Sequence, residues 1–321
     1  GKYKKAEKYY DSIFEGVETE SLPLPDRNGE IPERGYLSKE MDTMESVVLS
    51  ACEKLGVTPN ILFTGLFGVL MTRYSNSEDS LFATIYNGRN DSRLENTVCM
   101  LVKTLPVYCS CDPKATIQTY MTELSEQLLS SMANDIFPFS DICAKYGFSS
   151  DLVFAYQAEL SDDYPIGDTI ARGHDLSLDM SKMPLLIQVR EYDHKYVLTA
   201  EYRSDKYSEE FVKGILDAYE AAMDSMLKAK YISEISILSG NAAEKIAEFN
   251  HTAHEYDRSQ TISDMFDEMV ETIPDHTAVV FKDRKYTYKE LDEISDRLGK
   301  YIVSQGIGTE DVVSILIPRC E

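Results

Sequence analysis

The 321 residues carry 55 acidic against 32 basic side chains, a formal net charge of −23, which argues against nucleic acid and anionic membranes as partners. With 43% hydrophobic and 27% charged residues, the composition is that of a soluble globular protein with room for two or three domains. No apolar run nears the roughly 20 residues of a membrane helix and no signal peptide opens the chain, so the expectation is a soluble, cytoplasmic protein.

Residues 3 to 16 predict a helix with Tyr9, Tyr10, Ile13 and Phe14 on one side. A polar connector from Glu18 to Arg34, with Pro23, Pro25 and Pro32, follows as extended chain. Met41, Met44, Val47, Val48, Ala51 and Leu55 recur at helical spacing and stop at Gly56. Thr58-Pro59 starts a new helix, because threonine caps free N–H groups and proline is harmless in the first turn. That helix is apolar on nearly every face through Met71 and should be buried. Strands are expected at 81–86 and 97–107 around the polar turn 87–91, then helices at about 114–132 and after Pro138-Phe139.

The later chain predicts a strand at 151–157, an exposed acidic loop at 159–173, and strands at 174–180, 184–192 and 195–203. The last two close tightly around Asp193-His194, and a helix runs from about 208 to 229. A short helix and polar linker at 241–259 mark a domain boundary. Beyond it come helices at 262–272 and 288–304, a strand at 277–281, the turn 282–285, and a central strand at 312–317. Strands and helices without strict βαβ alternation predict an α/β layer with a mixed sheet.

The six cysteines form no CxxC pair, and reduced, packed thiols are expected, including Cys109 and Cys111 two apart on one strand face. His251 and His254 have i, i+3 spacing in a linker, without partners at ligand spacing, so no metal site is predicted.

Several runs resemble nonribosomal peptide synthetases. Leu55-Gly56-Val57-Thr58 with the apolar helix ending Arg73-Tyr74, the turn Asn87-Gly88-Arg89, and the block Val98 to Pro106 are similar to the second half of a condensation domain. In that block Cys99 stands for the family's glycine and Lys103 for its asparagine. Asn134-Asp135 with Pro138-Phe139 resembles the family's H-Q-D-x-P-F-E block without its histidine and with Ser140 for its glutamate. Asp175-Leu176-Ser177-Leu178, Tyr202-Arg203 with Tyr207, and Ile235 to Ser239 resemble its late strand, closing helix and exit. Phe249-Asn250-His251-Thr252, Asp264-Met265-Phe266, Pro274-Asp275, Ala278-Val279-Val280, Tyr286 to Leu291 and Gly306-Ile307 resemble the start of an adenylation domain. Within the last set Thr287 is placed to cap the next helix, with Glu290 as its capping-box partner.

The resemblance implies an end of the first condensation lobe with connector at 1–30, a C-terminal condensation lobe at 31–240, a linker at 241–260, and a truncated adenylation segment at 261–321. It implies a chloramphenicol-acetyltransferase-like lobe with a mixed sheet, from a parent that joins carrier-bound acyl or peptidyl and aminoacyl thioesters and activates an amino acid with ATP. No His-His-x-x-x-Asp-Gly motif and no Gly-rich phosphate loop occurs in the sequence, so no catalytic residue is assigned and the fragment is expected to be inactive alone. Tunnel or interlobe candidates are Arg89 and Asn87 in the turn, Lys103 as an added cation, and Arg34 as partner of a first-lobe aspartate. Arg89 serves equally as a brace of its own turn, and Lys103 as a solvated lysine. No cofactor is expected in the fragment; the parent uses phosphopantetheine on carrier proteins, and ATP with Mg in a complete adenylation domain. Expected partners are peptidyl carrier protein domains, the first condensation lobe and the rest of the adenylation domain. The alternatives are a carrier-docking scaffold, an inert remnant, or a stand-alone acyltransferase lobe.

Overall fold

The structure is a computed structural model and describes residues 1–17, 21–89, 92–94, 97–149, 151–158, 163–172 and 180–318. The expected strand at 174–180, with Asp175 to Leu178, lies outside the described residues except for Met180, which bridges to Glu33. The chain divides into two units, Gly1–Glu248 and Phe249–Glu321.

The first unit is built around one helix. Helices α1 (Lys2–Phe14) and α2 (Glu45–Leu55) flank a first strand, β1 (Arg34–Glu40), and α2 ends at Gly56 in the left-handed conformation. Then comes α3 (Pro59–Ser75), where the Thr58 hydroxyl accepts from the Ile61 N–H and every residue from Ile61 to Thr72 is buried. A helix apolar all round stays helical here because the fold surrounds it. Tyr120 and Tyr219 each donate a hydroxyl hydrogen bond at 2.8 Å to α3 carbonyls, those of Gly65 and Phe63. At Gly68 a Cβ would lie 2.6 Å from the Cys109 sulfur, so the absence of a side chain sets how closely the strand carrying Cys109 approaches the helix.

The strands β2 (Asp79–Tyr86), β3 (Lys103–Ser110), β4 (Leu152–Gln157), β7 (Leu185–Tyr192) and β8 (Lys195–Arg203) join β1 in one six-stranded sheet, ordered β1-β8-β7-β4-β2-β3. The β2–β4 and β4–β7 pairs are parallel and the others antiparallel, giving the mixed sheet expected from the element pattern. Helices α4 (Ile117–Ala133) and α6 (Glu209–Met226) join α3 on one face. Phe67 sits there between Phe82 and Phe154, at ring separations of 4.9 and 4.8 Å. On the opposite face, α1 and α5 (Phe139–Tyr146) cover the β2–β3 edge through Tyr10, Phe14, Phe137 and Ile142 packed with Leu81.

Three expectations in this unit are corrected. β1 lies in chain read as the end of a connector and the approach to a helix; its R-G-Y-L-S-K-E run gains strand geometry from pairing with β8 along its whole length. The strand expected at 97–107 starts at Lys103 and runs to Ser110, because the chain from Thr97 to Val102 is held as a loop. Its Pro106 is tolerated on the edge of the sheet, where the missing N–H faces away from a partner strand. The segment expected as an acidic loop contains a hairpin, β5 (Asp163–Ile166) with β6 (Thr169–Arg172). The tight connection expected at Asp193-His194 is present: both residues take positive φ, 49° and 60°, as a two-residue hairpin turn of primed type requires.

The second unit begins at Phe249, the last residue of α7 (Gly240–Phe249), and contains α8 (Ile262–Thr272), the hairpin β9 (Thr277–Phe281) and β10 (Arg284–Thr287), and α9 (Tyr288–Ser304). β10 occupies the end of what read as a simple turn. Thr287 and Glu290 form the expected capping box, with N–H bonds of 3.2 and 2.9 Å. The strand expected at 312–317 is absent: Val312, Ile315 and Leu316 are exposed at 94%, 79% and 98%, and no described strand pairs with them. A Val/Ile run becomes a strand only against a sheet edge. No single described helix is long and apolar enough to cross a membrane; α2 and α3 pass together by length and composition, but they bend by 90°.

Candidate functional site

Two surfaces of the first unit bring the sequence candidates into relation. The first is the loop joining β2 to β3. Tyr86 pairs with Lys103 at its base, and Asn87, Gly88 and Arg89 lead out of β2. The Asn87 side-chain oxygen accepts from the Arg89 N–H at 3.1 Å, closing a local turn. Gly88 has φ +68°, and a Cβ there would stand 2.0 Å from the Leu101 carbonyl oxygen. The Arg89 guanidinium donates to the carbonyls of Leu94, Thr97 and Cys99, so its planar fork draws the outgoing and returning limbs together. The loop then projects Val98 and Met100, both largely exposed.

Lys103 does not stand alone at the start of β3. Its ammonium lies 2.9 Å from the Asp135 carboxylate and 3.3 Å from the Asp135 carbonyl, just beyond α4. The turn and the 98–106 block meet in this one place with Asn134-Asp135, which follows the block by 28 positions in sequence. Tyr86 points into the same corner, on the α3 side of the sheet, with its buried hydroxyl unpaired among the described residues. Burial first, and then the nearby Asp135 charge, raise its pKa.

The second surface is the part of the sheet left by α1 and α5. In β7 and β8 the apolar residues Ile187, Val189, Leu198 and Ala200 turn to the helices, so Gln188, Arg190 and Thr199 turn the other way. Register sets Ser38, Thr199 and Gln188 side by side across three strands. Gln188 donates to the Gln157 side chain at 2.6 Å, extending this polar row onto β4. Ser38, Thr199 and Gln157 of this row line, with Tyr36 and Arg190, a depression of about 140 Å³. Sequence reading missed this row, although period-two alternation from 185 to 203 carried the signal.

Arg34 belongs to this face but not to the first cluster. It pairs with Glu201 at 3.1 Å and lies over the Tyr36 ring at 4.9 Å. It stands on the β1 edge where β7 begins, whereas Arg89 follows the end of β2 at the far side of the sheet. The structure therefore gathers Asn87, Arg89 and Lys103 and sets Arg34 apart on the diagonal. No group of three or more His, Cys, Asp or Glu suited to a metal occurs among the described residues.

Residues 1–247 match the family described as "Condensation domain". The chain belongs to the condensation-domain family. Residues 266–321 of this condensation-domain chain match a second family, described as "AMP-binding enzyme". Gramicidin S synthase 2 of Brevibacillus brevis is 25% identical over 336 residues, covering 98% of this chain and 7% of the relative. Surfactin synthase subunit 1 of Bacillus subtilis (strain 168) is 24% identical over 337 residues, covering 99% of this chain and 9% of the relative. The chain thus spans less than a tenth of these curated relatives.

Among solved structures, a four-domain nonribosomal peptide synthetase bound to AMP and glycine superposes with a TM-score of 0.71 at 17% identity, covering 94% of this chain and 25% of that one. The first condensation domain of a calcium-dependent antibiotic synthetase, in complex with a substrate analogue, gives 0.61 at 14% identity, covering 74% of this chain and 54% of that one. These likenesses establish the fold: an α/β condensation-domain lobe of the chloramphenicol-acetyltransferase type.

Proposed function

We propose that the first unit works as one lobe of a peptide-synthetase condensation domain, whose polar sheet face forms a wall of the cleft where an amide bond is made. The observation that carries this reading is the row Ser38, Thr199, Gln188 and Gln157, presented on the face opposite the helices of a chain in the condensation family. Neutral hydroxyl and amide groups suit the pantetheine portion of the phosphopantetheine arms on which carrier-bound substrates would travel, because both sides offer donors and acceptors and that portion, beyond the phosphate, has no charge to desolvate.

On this reading Arg89 and Asn87 shape the 87–102 loop, Lys103 fixes the loop base to Asp135, and Arg34 stands at the opposite rim as the candidate interlobe contact. The histidine that would position or deprotonate the attacking amine comes from a His-His-x-x-x-Asp-Gly motif, which these 321 residues do not contain. Carrier-protein domains are the partners, the cytoplasm is the compartment, and residues 266–321 belong to an adenylation domain that would use ATP and Mg. The segment itself holds no phosphate-cradling loop.

The test supplies loaded donor and acceptor carriers to this chain with and without a separately produced first lobe bearing the histidine motif. Amide product is expected only in the complemented reaction, and Thr199→Val with Gln188→Leu should reduce it. Turnover by the chain alone, or complemented turnover indifferent to both substitutions, would overturn the reading.

A further inference from the structure

The helical side of the first unit holds a second concavity, on the other side of the sheet from the polar row. It opens where three helix ends converge: the end of α2, the start of α4 and the end of α6. Its volume is about 490 Å³, within the range of small-molecule sites. The floor is apolar, from Leu55, Leu62, Ile117 and Met226, while Lys54, Lys228 and Lys230 stand at the rim. None of its lining residues is acidic, in a chain whose acids outnumber its bases by 55 to 32.

The rim is constructed rather than incidental. The Ile117 N–H donates to the Lys230 carbonyl at 3.0 Å, and Thr116 bridges to Tyr231, which ties the start of α4 to the chain leaving α6. The Glu234 carboxylate nearby accepts from the Lys230 and Tyr231 N–H groups at 2.7 and 3.2 Å, which hold its pKa below the usual range, with a smaller pull from the Lys230 charge. The Lys230 ammonium lies 5.0 Å over the Tyr231 ring. Gln118 donates to the Leu55 carbonyl at 2.8 Å, closing the α2 side.

We infer that this cavity binds a small anionic amphiphile, with its apolar body on the Leu62–Ile117–Met226 floor and its carboxylate or phosphate among Lys54, Lys228 and Lys230. Cations above an apolar floor match that order of groups and no other: an apolar ligand would leave the ammonium groups unused, and a fully hydrated anion would gain nothing from the floor. A volume of about 490 Å³ suits a small molecule rather than a protein, which docks through a broad surface of roughly 800 Å² per partner.

The experiment titrates the full 321-residue chain with decanoate, decyl phosphate, decanol and an acidic amphipathic peptide, followed by calorimetry and amide chemical shifts. Saturable binding of decanoate or decyl phosphate is expected, with shifts concentrated at Leu62, Ile117 and Ala229. Preference between the two separates a carboxylate from a phosphate head. Combined Lys54→Glu, Lys228→Glu and Lys230→Glu should weaken either anion at least about tenfold and leave decanol nearly unchanged. All three lysines are exposed, so the variant should fold, which circular dichroism checks. Ala229→Phe, which fills the cavity from its edge, should abolish binding of anion and alcohol alike. Non-saturable uptake, equal affinity in the charge-reversed chain, or saturation by the peptide but not by decanoate would overturn the proposal.

Discussion

The Lys103 ammonium lies 2.9 Å from the Asp135 carboxylate, and this pair fastens the start of β3 to the turn that follows α4. Both side chains are partly exposed, so water and salt screen the attraction. Lys103→Met should cost about 0.2–1 kcal/mol in urea unfolding, and the cost should shrink as salt is added. A loss several times larger, or one independent of salt, would show that the pair is more desolvated than its exposure indicates.

Gly88→Ala should be more damaging. Its φ of +68° is unfavourable for alanine, and the new Cβ would meet the Leu101 carbonyl at 2.0 Å. The expected loss is about 1–3 kcal/mol, with faster amide exchange confined to the 87–102 loop. Unchanged exchange in that loop would mean that it relaxes freely and that Arg89 does not hold it.

Acid should reveal the Arg203–Asp205 pair, whose bonds are 3.0 and 2.5 Å. The Arg203 hydrogen bonds hold the Asp205 carboxyl below its ordinary pKa. A depressed folded-state pKa contributes stability above the unfolded value, about 3.9, and loses it as pH falls from there through the folded value. Asp205→Asn should therefore be less stable than the parent at neutral pH, with the gap closing below about pH 4, as read from denaturant midpoints across pH. A gap that persists undiminished at low pH would assign the effect to packing rather than charge.

The thiols should separate by burial. Desolvation pushes Cys109 and Cys52 to about 11 and raises Cys111 strongly, whereas Cys99 is exposed. A thiol reagent near about pH 8 should modify Cys99 rapidly and reach Cys109 and Cys111 only on unfolding, as mass spectrometry of timed aliquots would register. Early labelling of Cys111 would indicate local opening of the β3 end.

Local chemistry made much of this fold legible. The helix from Pro59 was readable because threonine, proline and an uninterrupted apolar run all favour one buried helix, and Thr287 with Glu290 announced its own cap. The hairpin at Asp193-His194 was equally plain, since alternating strands on either side leave two residues to turn. Each of these depends on residues within a few positions of one another.

Tertiary structure decided the rest. The run Arg34–Glu40 is a strand because β8, some 160 residues later, supplies its hydrogen-bond partners, and Val312 to Ile317 is none because no described edge does so. Arg89 was readable as a brace of its turn or as a substrate contact, and Lys103 as a tunnel cation or a solvated lysine; only the fold shows Arg89 donating to loop carbonyls and Lys103 paired with Asp135. The row Ser38, Thr199 and Gln188 exists only through register, as does the separation of Arg34 from the Arg89 loop. Sequence by itself determined which segments fold locally and which family they resemble, because capping, turn and burial preferences act at short range. Pairing between distant strands decided which polar side chains share a face, because cross-strand hydrogen bonds form only once the chain has brought those strands together.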